Sequence, residues 1–198
     1  MAIPHRGSWF WEEFKLGAPE AGAQLAALRR GLSREPGSVP ELWPYYRVIV
    51  PDKEAARGNP GPRLTAEHAA LTLFGIHQQS QKEPMHKPEM PLGTALRALR
   101  KHERNSAAAV DRRVNAMATA TDVTELIAHL RGLVTRLRGI KQPLDYTQLV
   151  EDIHAWQEPD RRSRVRRRWG SQYYGWTAQN ESGQEANQAP AGAASTDA

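Results

Sequence analysis

No cysteine occurs among the 198 residues of the chain. That absence excludes a disulfide framework, thiolate metal sites and cysteine nucleophiles, and it suits a reducing compartment. Long apolar runs are missing too: nothing in the sequence approaches the roughly 18 consecutive apolar residues that a membrane span needs. The first residues lack a secretory pattern, because Met1 to Trp11 is followed at once by Glu12, Glu13 and Lys15, with no apolar stretch between charge and cleavage site. A cytoplasmic location away from membranes is the expectation. Alternating apolar and polar residues, the signature of a half-buried strand, extend no further than Arg47-Val48-Ile49-Val50, and no internal repeat is visible.

Catalytic patterns are equally scarce. The histidines stand at 5, 68, 77, 86, 102, 129 and 154. They form no His-Glu-x-x-His motif and no pair one helical turn apart, so a helical metal site has no visible ligands. Each is expected at a surface or an interface. The stretch Gly58-Asn59-Pro60-Gly61-Pro62 lacks the Gly-Lys-Ser/Thr ending of a phosphate-cradling loop. Glu151 and Asp152 are successive and point to different sides of their helix, both being read as outward. No enzyme activity, cofactor, metal or small-molecule substrate is expected.

What the chain does have is arginine. Lys and Arg number 27 against 22 Asp and Glu, a net charge of +5, and the isoelectric point near 9.7 directs attention to polyanionic partners. The charge is concentrated. Asp160 to Trp176 carries six arginines and one aspartate, a net of +5 that equals the net charge of the whole chain. Within it Val165, Trp169, Tyr173 and Trp176 recur at helical spacing and predict one apolar stripe for a core, with base stacking as the other use for its rings. Arg164, Arg166 and Arg167 fall opposite the stripe, while Arg161, Arg162 and Arg168 flank it. Most of this guanidinium charge is expected to face solvent or a partner, since burying it unpaired is costly. Asp160 is the expected N-cap.

The remaining segments read as helices and loops. Ser8 is positioned to cap a short aromatic helix with Trp9, Phe10, Trp11 and Phe14, of which at least one ring should lie off the core face. Pro19 to Gly31 forms a helix with Ala21, Leu25, Leu28 and Leu32 on one face, and Arg29 and Arg30 at its C-terminal end, where cations complement the macrodipole. A second, proline-limited helix begins at Glu41. Residues 52–63 read as a loop, Thr65 to Gln79 as a helix, and the proline-rich stretch from Ser80 to Pro91 as a mobile surface loop. Helices follow with Leu92, Leu96 and Leu99, then Val110, Val114 and Met117 after a Ser106 cap, with Arg112 and Arg113 off the apolar line. The next has a capping box at Asp122 and Glu125, a centre line of Leu126, Leu130, Leu133 and Leu137, and Arg131 and Arg138 on one flank. Asp145 starts another, with Tyr146, Leu149, Ile153 and Trp156 inward. Short connections imply antiparallel neighbours. After Trp176 no Leu, Ile, Val or aromatic residue occurs, and such a segment should be disordered. The fold class is all-α: a helical bundle of about seven to nine helices in two packed subdomains, residues 1–105 and 106–176, with a disordered tail at 177–198.

The succession Ala27-Leu-Arg-Arg-Gly, Pro40-Glu-Leu-Trp-Pro-Tyr-Tyr, Pro91-Leu-Gly-Thr-Ala-Leu, Val110-Asp-Arg-Arg-Val, Leu130-Arg-Gly-Leu-Val and Pro143-Leu-Asp-Tyr through Leu149-Val-Glu-Asp to Trp156 resembles the CasB family, the small subunit of the type I-E CRISPR surveillance complex Cascade. The resemblance covers roughly residues 8 to 176. It implies a two-part helical protein without enzymatic activity, present in two copies, which contacts target DNA, the crRNA-containing complex and the other Cascade subunits and helps to hold the opened R-loop. By position, Arg29, Arg30, Arg112, Arg113, Arg131 and the basic end after Trp156 match where the family is basic. A rival reading is an all-helical DNA-binding transcriptional regulator, though no recognition helix with base-reading side chains stands out. A helical hydrolase and a helix bound to anionic lipid are weaker rivals.

Overall fold

Proline and glycine punctuate the chain into short helices. The computed structural model describes residues 3–176, and the expectation for the tail from 177 onward lies outside them. The described residues form nine α-helices: α1 (Phe10–Glu13), α2 (Ala21–Arg30), α3 (Asp52–Ala55), α4 (Pro62–His77), α5 (Leu92–Lys101), α6 (Ala107–Thr119), α7 (Val123–Gly139), α8 (Tyr146–Trp156) and α9 (Pro159–Tyr174), with a 3-10 helix at Pro40–Tyr45. No β-strand is found among the described residues, only two isolated bridges, His5 with Val48 and His86 with Leu144. The all-α class read from the sequence is therefore the observed one.

α4 is the central element. Every residue from Ala66 to His77 is buried, as expected of a helix enclosed on all sides, and α2, α7 and α8 pack around it. Small residues let them approach. A β-carbon at Gly75 would stand 2.8 Å from that of Leu28, so α2 crosses α4 where only glycine fits. Gly31, read as a helix-ending glycine, has φ −71° and is αR. Its reason is again proximity, because a β-carbon there would meet Leu42, His68 and Thr72 at 2.7–2.9 Å. One apolar cluster runs from Ile3 to Tyr173 and draws on every long helix.

Several expectations are revised by packing. Ser8 does not cap α1; Trp9 occupies that position, and Trp9, Phe10 and Trp11 are all buried. The helix is only one turn long, so Trp9 precedes it in extended conformation, where its ring stacks on Trp11 at 5.3 Å while Phe10 meets Phe74 edge-on, and all three find places in the fold. Residues 52–63 include the single turn α3. The stretch from Ser80 to Pro91 is a loop, yet Met85 is buried and its N–H donates to Gln78 Oε1 at 2.8 Å while its carbonyl accepts from Leu144 at 3.0 Å. This stitching gives the loop a place in the core. His68 and His77 are interior rather than surface residues. His68 bridges the Tyr46 hydroxyl and the Gly31 carbonyl, and His77 meets the Tyr146 hydroxyl at 3.0 Å. Capping at Ser106, Asp122 and Asp145 is as expected, each side chain accepting from the N–H three residues on. Glu125, however, reaches Thr121 and not the cap itself. α6 with α7 and α8 with α9 are neighbours, whereas α7 and α8 each pack chiefly on α4.

Candidate nucleic-acid interface

α9 starts two residues earlier than its sequence suggested. Pro159 takes the first helical position, where its missing N–H costs nothing, and Asp160 lies in the first turn. Val165, Trp169 and Tyr173 are buried against the bundle, but Trp176 is 69% exposed. The stripe breaks because Gly175, with φ 74°, ends the helix in a left-handed turn and points Trp176 away from the core.

The arginines of α9 sort into two groups by what they touch. Arg168 donates to Asp152, which was read as outward but is 1% exposed. That carboxylate also accepts from Trp169 Nε1 at 2.6 Å and Gln148 Nε2 at 2.7 Å. Burial lifts the Asp152 carboxyl above its ordinary range, and Arg168, Trp169 and Gln148 pull it back. The pair locks α8 to α9. Arg161 pairs with Glu158 at 3.0 Å. Arg162 lies 4.2 Å over the Trp156 ring and donates to the carbonyls of Trp156 and Thr121. Arg166 donates to the Ala120 carbonyl at 2.8 Å. Thus two guanidiniums tie α9 to the turn between α6 and α7. None of the six is buried, as expected, but the charge is not all free: four of these six side chains also brace the fold. Only two of them meet a carboxylate, and bonding to carbonyls leaves the positive charge of the others uncancelled.

Arg164 and Arg167 are exposed and have no ion pair among the described residues. Arg164 joins Arg161 and Arg168 in lining a groove of about 330 Å³ between α8 and α9, with Gln148, Glu151, Ala155 and Val165. The sequence reading set Arg164 opposite the stripe and Arg161 and Arg168 on its flanks; their shared groove depends on α8 and could not be read from spacing along α9.

The other basic positions are scattered over the fold. Arg30 is paired with Glu41 at 2.9 Å. Arg138 donates to the Ile76 carbonyl and to Gln79, at the C-terminal end of α4, where cations are stabilised, and the Arg29 stem passes beside Gly75. Arg113 donates to Ala109 on its own helix. Arg112 and Arg131 are exposed, and Arg131 borders an apolar cavity of about 620 Å³ formed with Leu32, Leu73 and Ile127. No cluster of three His, Asp or Glu side chains suited to a metal ion is present among the described residues. No described helix is long and apolar enough to cross a membrane.

This helical arrangement recurs among CRISPR-associated proteins, the class to which the fold points. CasB from Thermobifida fusca has 32% sequence identity, with 82% of this chain and 90% of that one covered and a TM-score of 0.64. A Cse2-family CRISPR-associated protein from Thermus thermophilus has 25% identity over 83% and 94% of the two chains, with a TM-score of 0.61. CasB of M. ruber, at 19% identity, 87% and 94% coverage and a TM-score of 0.59, shares the fold. No curated protein matches the sequence. The family model of the CRISPR-associated protein Cse2 matches residues 24–174, and the chain belongs to that family.

Proposed function

We propose that the protein is a non-catalytic small subunit of a Cascade-type, RNA-guided DNA surveillance complex in the cytoplasm, and that it holds nucleic-acid backbone there to stabilise the R-loop. The observation that carries this reading is the division of labour on α9. Its inner arginines are committed to the fold, while Arg164 and Arg167 stand exposed on a rigid helix without carboxylate partners among the described residues. Replacing a DNA duplex by an RNA–DNA hybrid is nearly balanced in energy, so modest contacts to phosphate can tip it. Arginine on a rigid surface supplies such contacts without reading sequence, which suits a complex guided by base pairing.

Arg29, Arg112, Arg131, Arg164 and Arg167 are the proposed phosphate contacts, since no carboxylate is within ion-pairing distance of them among the described residues. Arg30, Arg113, Arg138, Arg161, Arg162, Arg166 and Arg168 also make contacts within the fold, and act on nucleic acid through the field they add. If about 4–6 phosphates are neutralised, log K should fall against log salt with a slope near −3 to −5. Filter binding over a salt series measures this, and a flat line would contradict the reading. Co-expression with the other subunits and a crRNA asks in parallel whether the chain enters the particle, with two copies expected.

A further inference from the structure

The last described turn of the chain builds a second kind of surface. Ser163, Arg167, Gly170 and Tyr174 recur at four, three and four residues along α9, so they share one outer stripe. After the left-handed turn at Gly175, the Trp176 N–H donates to the Ser171 carbonyl at 3.0 Å. The indole then folds back over Gly170. A β-carbon at 170 would stand 3.5 and 3.6 Å from its Cζ3 and Cη2 atoms, ordinary van der Waals contact, so the ring lies close against the helix. Trp176 is nearly parallel to Tyr174, with centroids 5.4 Å apart and an interplanar angle of 8°. Tyr174 in turn meets Tyr173 edge-on at 4.9 Å, and Tyr173 is buried with its hydroxyl donating to Asp111 at 2.6 Å. The pair is therefore anchored to the core on one side. On the other it is open: Trp176 is 69% and Tyr174 48% exposed.

We infer that Tyr174 and Trp176 form a stacking platform for unpaired bases of a single-stranded nucleic acid whose phosphates run along Arg167 and Arg164. An aromatic pair held rigidly and left exposed asks for a partner. The stripe beside it selects the kind. Gly170 lies about 4.5 Å and Tyr174 about 10.5 Å along the helix axis from Arg167, so phosphate and base of neighbouring nucleotides can be met together. Arg167 on the same stripe is exposed and without an ion pair among the described residues, which is the charge that a strand carrying a phosphate at each nucleotide would meet. In a duplex the base faces are already stacked, which leaves only an unpaired strand with a π-face to offer. The inference rests on the nucleic-acid reading above and narrows it to a strand without its complement.

The test uses the full chain carrying Trp43→Phe, since Trp9, Trp11, Trp156 and Trp169 are buried and Trp43 is 60% exposed. Emission then reports Trp176 among exposed indoles. Titration with oligodeoxythymidylate should quench it, and a duplex of equal length should bind without quenching. Adding Trp176→Ala should weaken single-strand binding about 5- to 100-fold while duplex affinity and salt slope stay unchanged, because no charge is removed. Trp176→Phe should retain most of the affinity, with melting curves unaltered in both variants. Equal loss on both ligands, or no loss, overturns the inference. Loss of incorporation into the co-expressed particle with single-strand affinity intact also overturns it and assigns the pair to a protein subunit. If the Trp43→Phe chain binds neither ligand at low salt, the nucleic-acid reading itself fails.

Discussion

Arginines of one type, within eight residues of sequence, differ in what their removal should cost. Arg164→Ala and Arg167→Ala remove no ion pair of the fold and should leave the melting temperature unchanged, while each lowers the magnitude of the salt slope by about 1. Asp152→Ala should do the reverse. It strips three donors of their acceptor and leaves Arg168 without a counter-charge, which should destabilise the protein by about 3 kcal/mol in urea unfolding. That difference was not legible beforehand, because the sequence shows that Asp152 follows Glu151 but not that α9 crosses its side of α8. Buried titratable groups are similarly invisible in sequence. Glu67 accepts from the N–H groups of Arg47 and Val48, and burial pushes its carboxyl from 4.5 up to about 7. The folded state holds this proton more tightly, so the group's contribution to stability falls as pH rises through that window. His77, pushed from 6.5 down to about 4 by burial, has the opposite sign: the unfolded chain protonates first and stability falls as pH drops through its window. The two partly offset each other. Glu67→Gln should therefore steepen the loss of stability between about pH 6.5 and 5, measured as unfolding midpoints across pH.

The helices are the part of the structure that the sequence displays best. Leucine spacing and the caps at Ser106, Asp122 and Asp145 located α5 to α8 closely, because local propensity and burial agree there. Agreement failed where tertiary contact overrides the local signal. Trp176 keeps helical spacing with Tyr173, but Gly175 turns the chain before that spacing can be used. α5 and α9 show how closely elements pack: a β-carbon at Gly93 would come 2.5 Å from the Trp169 carbonyl and 2.6 Å from Gln172 Cβ. Gly93→Ala should force these helices apart and destabilise by roughly 1–3 kcal/mol, against a small gain in helix propensity. Thermal unfolding of the variant decides between the two. A stabilised protein would mean that α9 slides easily, which its ties to Asp111, Ala120 and Asp152 oppose.

At the scale of the molecule, helical spacing and the want of strand alternation gave the class, and the order of the helical segments gave the resemblance to the family. Neither placed the basic surface. Arg29 and Arg138 stand where they do because α2 and α7 each pack on α4, α2 by way of its close approach at Gly75. The shape of the groove between α8 and α9 likewise exists only once the whole bundle is assembled. Arg162 and Arg166 hold backbone oxygens, neutral acceptors whose bonds salt screens little, and Arg168 holds an enclosed acid, so that of the four Arg161 alone leans on an open carboxylate. Brine strong enough to strip a bound strand should therefore leave the protein itself folded, so that capture and release could be cycled on one sample simply by changing the buffer.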